Sequence, residues 1–337
     1  MTGIRRWVVS RASGGRYDPS CFRLDEQLQA EPAQGELLVE TRLLSLDPTH
    51  LNWVKLVPDL QYLPIGIGDP MIGTNIGIVQ QSNHPDFTPG QTVIGTWGWE
   101  ELAVANATMV RPALPASEMP LEDQLTLLSH VGQAAGGGML LIGGVTAGDN
   151  VLVSAAAGAT GSIAAQIAKA MGCRTVGVAG GEAKCAYLLD ELGLDAAIDH
   201  RRGELEAAVR DHFPQGVDLF FDNVGGEILD AVLANMAPRC RIVVCGAIAQ
   251  YDSASVGSFT GIRNLPMLIF RQARMEGFVA GQFGEQGNAE VIATLRQLHA
   301  SGKLRSRTHV VAFDDMPEAL TMLLNGTNNG KLIARVR

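Results

Sequence analysis

The pattern of apolar and polar positions along the chain changes near residue 120. Before that point, short apolar runs are separated by turns rich in Pro, Gly, Asn and Asp, which is typical of antiparallel strands. The strands predicted there are Glu36–Thr41, Gly77–Gln81 and Gln91–Gly95. Because no helical period of useful length occurs before Leu121, a compact antiparallel barrel is the predicted class for this part.

From Leu121 to about Ala300 strands and helices alternate, which predicts a doubly wound parallel sheet. The predicted strands are Val151–Val153, Arg174–Val178, Ala196–Ile198, Val217–Phe221, Arg241–Cys245 and Met275–Val279. The predicted helices are Leu121–Gly132, Thr160–Met171, Glu182–Leu192, Glu204–His212, Glu227–Met236 and Leu265–Gln272. The last predicted elements, Thr308–Phe313, Pro317–Leu324 and Leu332–Val336, return to the first domain. The predicted domains are therefore 1–120, completed by 301–337, and 121–300.

The stretch Asn150–Ser162, with the sequence NVLVSAAAGATGS, joins an apolar strand to a helix through a glycine turn. This arrangement brings the pyrophosphate of a dinucleotide onto backbone amides at the start of the helix. Gly158 is predicted to let the backbone approach the phosphates, and Gly161 to let the helix pack closely on the strand. Ala156 occupies the first position of the usual G-x-G-x-x-G motif. A tight turn with only a structural role therefore stays open as an alternative.

Composition and charge exclude several classes of protein. Apolar residues make up 46% and charged residues 18% of the 337 positions, as in an ordinary globular protein. The net charge of −9 argues against non-specific binding of nucleic acid. Without an uninterrupted apolar run of about 18 residues, no membrane span is predicted. The opening stretch MTGIRRWVVSRASGG lacks the apolar core of a signal peptide, which predicts a cytoplasmic enzyme.

The second predicted strand ends in Val176–Gly181, which is small and neutral. An NAD-specific site usually places Asp or Glu at this tip to hold the ribose hydroxyls. Here Lys184 follows the tip, and His200, Arg201 and Arg202 follow the next strand. Cations beside a neutral tip are what a 2′-phosphate requires, so NADPH is the predicted cofactor. A solvated helix start and a basic turn are the structural alternative.

Several stretches of the chain carry a resemblance to a known family. In the second half they are NVLVSAAAGATGSIAAQIAKAMGC, FFDNVGGEILDAVLANM, VVCGAIAQY and RNLPMLIFRQARMEGF. Elsewhere they are LLSLDPTH, YLPIGIGDPMIG, SNHPDFTPGQTVIG and NNGKLIARV. The chain resembles the NADP-dependent alkenal/prostaglandin reductases, which include bacterial curcumin reductases and belong to the zinc-independent medium-chain dehydrogenase/reductases. The resemblance covers almost the whole chain, and it implies an α/β protein with an N-terminal GroES-like β-barrel domain and a Rossmann sheet.

The resemblance also implies which residues bind NADPH. They are Gly158, Ala159, Thr160, Gly161, Lys184, His200, Asn223, Cys245, Gly246, Ala247, Ile248, Tyr251, Phe278, Val279 and Asn328. The glycine turn would face the pyrophosphate, and Lys184 the adenosine 2′-phosphate. Asn223 would contact the ribose or carboxamide region, the segment 245–251 would run beside the nicotinamide, and Asn328 would reach the cofactor from the last loop. His200 stands where the family often has a tyrosine, which leaves its contact with phosphate or adenine open.

The implied chemistry is the reduction of a C=C bond conjugated to a carbonyl group. The five cysteines and seven histidines form no cluster with the spacing of zinc ligands, so no metal site is predicted. Hydride goes to the β-carbon, the developing enolate oxygen takes a hydrogen bond, and the α-carbon is protonated. The enolate donor is a ribose hydroxyl of the cofactor or Tyr251, for which packing against its loop is the alternative. His50 is a further candidate donor, with a structural histidine as the alternative.

The chain departs from the family pattern at three places. Thr49 and Phe270 stand where relatives carry tyrosines, and GQAAGGGML replaces a common G-x-P-G-x-T-A-Y pattern. The triple glycine is expected to give a wider or more mobile pocket beside the nicotinamide. A non-catalytic NADPH-binding protein therefore stays open beside the enone reductase, and so does an NADPH-dependent quinone reductase, because related zinc-free enzymes use the same fold and cofactor. The apolar strand near Met275–Val279 is an edge that needs covering, which predicts a homodimer.

Overall fold

The computed structural model describes residues 3–28, 30–57, 61, 64–251 and 261–336. The packing of the Cα atoms divides the chain into two units, with breaks between Leu125 and Thr126, between Gln250 and Tyr251, and between Arg307 and Thr308. The first unit combines the N-terminal and C-terminal segments with Tyr251, and the second unit holds the middle of the chain. The first and last of these breaks lie a few residues after the predicted ends of the domains.

The elements follow in chain order. The strands are β1 (Ile4–Val9), β2 (Phe22–Gln27), β3 (Glu36–Ser45), β4 (Ile72–Ser82), β5 (Thr92–Gly98), β6 (Leu102–Asn106), β7 (Val110–Pro112), β8 (Asn150–Val153), β9 (Arg174–Ala179), β10 (Ala196–Asp199), β11 (Val217–Asp222), β12 (Met236–Val244), β13 (Arg274–Gly277), β14 (Thr308–Ala312) and β15 (Lys331–Arg335). The helices are α1 (Pro48–Trp53), α2 (Leu121–Leu127), α3 (His130–Gly137), α4 (Ala159–Ala170), α5 (Glu182–Ala186), α6 (Leu205–His212), α7 (Gly226–Ala234), α8 (Met267–Arg271), α9 (Gly284–Ala300) and α10 (Met316–Asn325). Wider π-helical turns continue α3 over Gly138–Ile142 and α5 over Tyr187–Glu191. Short 3₁₀ turns lie at Pro19–Cys21, Ala107–Met109, His200–Arg202, Ile248–Gln250 and Phe313–Asp315.

The first unit is built on a mainly antiparallel sheet with the strand order β14-β15-β3-β4-β5-β7, in which β6 also pairs with β3. The pair β14 and β15 is parallel, whereas the other pairs are antiparallel. The hairpin β1–β2 forms a separate two-stranded sheet. Apolar side chains of these strands and of α1 and α10 form the main core of this unit, which includes Leu44, Leu51, Trp99 and Leu320. The β-rich character that the sequence predicts for this part is thus confirmed.

The second unit is a six-stranded parallel sheet in the order β10-β9-β8-β11-β12-β13. From β8, the strands β9 and β10 are added in turn on one side, and β11, β12 and β13 are added in turn on the other side. All six strands remain parallel, but the order of addition switches sides between β8 and β11. In open α/β sheets, ligands bind outside the carboxyl ends of the strands at this point. The predicted doubly wound sheet is confirmed, and its topology places the glycine turn at this switch point.

Several element boundaries differ from the predicted ones. The single helix predicted over Leu121–Gly132 is two helices, because Ser129 caps the start of α3 by accepting the amide of Val131. The helix predicted to reach Met236 ends at Ala234. Helix α9, whose glycine-rich start masks its period, and helix α1, which Asp47 and Pro48 begin, were not predicted. The hairpin β1–β2 was not predicted either.

No single helix among the described residues is long and apolar enough to span a membrane. The bent pair Leu121–Leu127 and His130–Ile142 reaches that length and composition only when the two helices are taken together.

Candidate functional site

The turn between β8 and α4 lies at the switch point of the parallel sheet. Ala155 adopts φ 47°, a left-handed conformation that is uncommon outside glycine, and its carbonyl accepts the amide of Gly158 at 2.9 Å. The amide of Ala156 donates to the carbonyl of Val178 on β9, so the turn is anchored on the neighbouring strand. Gly158 begins α4 without a side-chain cap. The first amides of the helix therefore have no carbonyl partner within it, which leaves them available to an anion.

The two glycines of this turn have different surroundings. A Cβ added at Gly161 would overlap the carbonyl oxygen of Ala155 and lie 3.0 Å from the Cα of Ala156. A Cβ added at Gly158 would meet a single atom, the Ala155 oxygen at 3.2 Å. Gly161 thus permits the close packing of the helix on the turn, and Gly158 leaves the backbone exposed on its outer side. The packing role predicted for Gly161 agrees with this geometry, and the phosphate contact of Gly158 stays a prediction.

A buried carboxylate, Asp222, organises the end of β11 beside this turn. Its oxygens accept the hydroxyl of Ser154 at 2.8 Å and the amides of Val224 and Gly225 at 2.9–3.1 Å. The hydroxyl of Ser154 also accepts the amide of Asn223 at 2.8 Å. Burial raises the pKa of Asp222, and these hydrogen bonds oppose the rise. Asp222 therefore links the carboxyl ends of β8 and β11. We call this edge of the sheet, where a ligand is predicted to bind, the ligand edge.

Asn223 and the segment after β12 are attached to the same edge. The side-chain amide of Asn223 donates to the carbonyl of Ser154 at 2.7 Å. The amides of Cys245 and Gly246 donate to the carbonyl of Asp222, and the amide of Ile248 donates to that of Asn223. Burial and the charge of Asp222 raise the pKa of Cys245 to about 12, so its thiol stays protonated near neutral pH. The segment 245–248, which includes Ala247, is thus attached to the carboxyl end of β11, and its place beside the nicotinamide stays a prediction.

Three basic side chains gather at the tip of β9. A Cβ added at Gly180 would lie 2.7 Å from Nε2 of His200 and 2.9 Å from Nε of Arg201. The carboxylate of Asp199 holds this turn by accepting the amides of Gly181 at 2.9 Å and Arg201 at 3.1 Å. Burial first, and then the charge of Arg201, lower the pKa of Lys184. The part of the chain that the structure describes offers no ion-pair partner within 4.0 Å for the side chains of Lys184 and Arg201. The charges of Lys184 and Arg201 therefore raise a positive potential at the tip, beside the imidazole of His200.

The triple glycine 136–138 is filled rather than open. A Cβ added at Gly137 would overlap the ring of Phe283, and one at Gly138 would lie 3.0 Å from the ring of Phe278. Phe278 packs against Phe283 with ring centroids 5.6 Å apart. The expectation of extra open space at these glycines is therefore wrong, since aromatic rings of the second unit occupy it. Val279 follows Phe278 and accepts the amide of Gln282 at 3.2 Å.

His50 is held inside the first unit, where it is 1% exposed. Its Nδ1 accepts the amide of Asp47 at 2.9 Å, so the ring proton is on Nε2, which lies 3.1 Å from the carbonyl of Ile72. The ring also contacts Trp53 and Trp99 edge-on. Both nitrogens of the imidazole are thus engaged within the fold. The geometry favours the structural alternative for His50 over a role as a catalytic donor.

Tyr251 and Asn328 also lie in the first unit. Tyr251 is partly buried and packs against the main core of that unit. The residues 252–260 that follow it lie outside the described part of the chain. Asn328 is buried, and its amide donates to the carbonyl of Gly330 at 2.8 Å.

A buried ion pair that the sequence analysis missed lies next to Asn328 in the chain. Nζ of Lys331 is 2.7 Å from Oδ1 of Asp47 and donates to the carbonyl of Leu46 at 2.7 Å. Asp47 also accepts the hydroxyl of Ser45. Burial lowers the pKa of Lys331, and Asp47 opposes the decrease. The ion pair therefore ties the C-terminal NNGK stretch to the turn that begins α1.

The described residues contain no group of three or more His, Cys, Asp or Glu side chains arranged to hold a metal ion.

Two family models match the chain. The N-terminal domain of oxidoreductase matches residues 5–113, and the zinc-binding dehydrogenase model matches residues 159–300. The NADPH-dependent curcumin reductase of Escherichia coli K12 is 32% identical over 98% of this chain and 96% of its own. Prostaglandin reductase 1 of Rattus norvegicus is 33% identical over 99% of this chain and 100% of its own. The crystal structure of CurA from Vibrio vulnificus in complex with NADPH is 32% identical, covers 99% of both chains, and superposes with a TM-score of 0.92.

Proposed function

Because this chain belongs to the alkenal/prostaglandin reductase family of zinc-independent medium-chain dehydrogenase/reductases, we propose that it reduces the C=C bond of α,β-unsaturated ketones and aldehydes with NADPH. The observation that carries the choice of cofactor is the group of Lys184, His200 and Arg201 around the neutral tip of β9. The two cations Lys184 and Arg201, with the imidazole of His200 beside them, favour a 2′-phosphate over the free ribose hydroxyls of NADH. The relatives that match nearly the whole chain are named NADPH-dependent curcumin reductase and prostaglandin reductase 1, and these names support the same reaction.

The residues at the ligand edge of the second unit fit a bound NADPH. The first amides of α4, at Ala159, Thr160 and Gly161, would hold the pyrophosphate, and Gly158 offers an unobstructed backbone beside them. Asn223, fixed by Ser154, would orient the ribose or carboxamide region together with the segment 245–248. Phe278 and Val279 are proposed to complete the site around the nicotinamide, whereas the proposed cofactor contact of Asn328, a residue of the first unit, rests on the family resemblance alone.

When bound, NADPH supplies the hydride that adds to the β-carbon of the substrate. The phenol of Tyr251 then donates a hydrogen bond to the carbonyl oxygen as enolate charge develops there. Solvent supplies the proton that the α-carbon takes up, and the carbonyl group re-forms. In balance, one hydride and one proton saturate the C=C bond.

The reaction is tested by measuring initial rates of cofactor oxidation with an enone panel and a quinone panel. We expect turnover of enones with NADPH, much slower turnover with NADH, and rates that do not change when a chelator is added. Turnover of quinones alone would instead identify a quinone reductase. Binding of NADPH without turnover of either panel would identify a non-catalytic NADPH-binding protein.

Replacing Lys184 by Ala should weaken NADPH binding and leave NADH binding nearly unchanged. A hydrogen bond to a charged group contributes about 1.5–3 kcal/mol, which corresponds to roughly tenfold to a hundredfold in affinity. Calorimetric titration of both cofactors measures the two dissociation constants. Equal losses for NADPH and NADH would contradict the placement of the 2′-phosphate.

Tyr251→Phe should lower turnover by roughly tenfold to a hundredfold and change NADPH affinity little. One donor to a developing oxyanion is worth about 2.7–4 kcal/mol where it is the main donor. The ribose hydroxyl shares that role here, so a smaller loss in kcat is expected. Steady-state kinetics with a fixed enone gives the result. Full turnover in Tyr251→Phe would show that the phenol takes no part and would leave the ribose hydroxyl of the cofactor as the enolate donor.

We also propose a homodimer formed through the edge of the parallel sheet. The edge strand β13 is exposed along its length, and the neighbouring helix α8 exposes Ile269 at 75% and Phe270 at 76%. Light scattering should give twice the 35.8 kDa of one chain. The double variant Ile269→Asp/Phe270→Asp should be a monomer. The control is Leu189→Asp, which changes an exposed apolar side chain in the turn after α5, away from β13. This variant should stay a dimer. A monomeric unmodified protein would contradict this arrangement.

A cytoplasmic location is likewise a proposal. All five cysteines are free thiols in the structure, which is typical of a reducing compartment.

A further inference from the structure

His200 is the one member of the basic group at the tip of β9 whose charge changes near neutral pH. The charged groups that face it are Arg201 and Asp199 from its own turn and Lys184 from α5. Arg202 pairs with Asp199, with Nε and Oδ2 3.5 Å apart. Two cations and one carboxylate thus surround an imidazole that lies against Gly180.

The free protein disfavours the charged form of this imidazole. Burial first, then Arg201 and Lys184, lower the pKa of His200, and Asp199 only partly opposes them. The carboxylate is already committed, because it accepts the amides of Gly181 and Arg201 and pairs with Arg202. The site therefore holds excess positive charge until an anion arrives.

A 2′-phosphate reverses this balance. A phosphate monoester has a second pKa near 6, so it is close to a dianion at neutral pH. Two negative charges placed among Lys184, Arg201 and His200 favour the imidazolium, which is then both a charge partner and a donor from each ring nitrogen. NADH lacks the phosphate and leaves the imidazole in its original environment.

We infer that NADPH binding takes up a proton at His200, which makes this side chain a pH-dependent determinant of NADPH over NADH selectivity. The inference rests on the proposed NADPH dependence and extends it to a residue where the family often has a tyrosine. The thermodynamic linkage between proton binding and NADPH binding then fixes the direction in which NADPH affinity changes with pH. Because protonation is favoured in the complex, the affinity gain is present at low pH and is lost as the pH rises through the titration of the bound imidazole. The phosphate itself loses charge below about pH 6, so NADPH affinity is greatest slightly above that value.

The experiment is calorimetric titration of NADPH and NADH at pH 6.5 and pH 8.5, repeated in two buffers with different ionisation enthalpies to count protons. In the unmodified protein, NADPH affinity should fall about twofold to tenfold between the two pH values, because the imidazole of the complex loses its charge within this range. Proton uptake should accompany NADPH binding near neutral pH and should be absent with NADH.

Two variants isolate the imidazole. His200→Gln should bind NADPH more weakly at pH 6.5, without proton uptake and with little dependence on pH. His200→Tyr, which keeps a donor that does not titrate in this range, should recover part of the affinity but not the pH dependence. Unchanged NADH binding in both variants shows that they are folded.

The inference is overturned if His200→Gln retains the proton uptake and pH dependence of the unmodified protein, or if Arg201→Gln abolishes them while His200→Gln does not. It is also overturned if NADPH binds with turnover of enones but without proton uptake. Equal binding of NADPH and NADH by the unmodified protein would instead contradict the proposed cofactor, which distinguishes the two failures.

Discussion

Lys331→Met should lower the free energy of unfolding of the first unit by about 3–5 kcal/mol, the range for removing one partner of a buried ion pair. Lys331 is 1% exposed and Asp47 is 5% exposed. Without the ammonium group, the Asp47 carboxylate stays buried with the hydroxyl of Ser45 but without its opposite charge. The loss is therefore mainly the cost of an uncompensated buried charge.

The four tryptophans report on this unit selectively, because all of them precede residue 100. Urea denaturation followed by tryptophan fluorescence measures the change. The matched control is Arg335→Met on the same strand, which breaks the ion pair of Arg335 with Glu122. The Arg335 side chain is 54% exposed, so its loss should cost no more than about 1 kcal/mol. Equal effects of the two variants would show that the buried pair adds nothing beyond a surface pair.

Gly161→Ala should both destabilise the second unit and abolish measurable NADPH binding. The added methyl group would overlap the Ala155 carbonyl, and backbone atoms cannot rotate away as a side chain can. Overpacking of this kind costs about 1–3 kcal/mol, and the displaced helix no longer presents its first amides to the pyrophosphate. We expect a loss of more than about a hundredfold in NADPH affinity, equivalent to about 2.7 kcal/mol or more.

Gly158→Ala is the matched control. Gly158 has φ −81°, which alanine adopts freely, and its added Cβ meets only the Ala155 oxygen at 3.2 Å. This variant should keep the thermal unfolding midpoint, followed by far-UV circular dichroism, and still lose NADPH affinity because the methyl group occupies the phosphate side of the turn. If Gly158→Ala binds NADPH normally, the pyrophosphate does not lie where the glycine turn places it.

Much of the second unit could be predicted from the sequence because its signals are local. Short apolar strands alternate with helical periods, and the glycine spacing defines the turn, so the order of elements follows directly. The break between α2 and α3 depends on the side-chain cap of Ser129, and the start of β12 at Met236 depends on its pairing with β11. The hydrophobic period of the sequence indicates neither contact. The helix α9 was missed because glycines at its start interrupt the pattern.

The site was predictable where a residue belongs to a motif and less so where its role depends on distant partners. Gly161 and Lys184 follow from the turn and the neutral tip. Asp222 could have been found, since a carboxylate directly after a buried strand that pairs with the glycine strand lies at the ligand edge. Lys331 pairs with a residue 284 positions away, and spacing offers no signal for that contact.

The wrong expectation at the triple glycine has a physical cause. Glycine leaves space, and from the sequence that space could be filled by a ligand or by the protein. In the structure Phe283 and Phe278 fill it, and Phe283 immediately precedes the missed helix α9. Phe278 lies in a predicted strand, but without helix α9 in the prediction the ring of Phe283 had no predicted position.

The most direct test of the proposed reaction is the fate of deuterium from NADPH labelled at both C4 positions, with an enone as substrate and ordinary water as solvent. The proposed reaction gives a saturated ketone with one deuterium on the β-carbon, hydrogen from water on the α-carbon, and an intact carbonyl group. An allylic alcohol with deuterium on the former carbonyl carbon would contradict it.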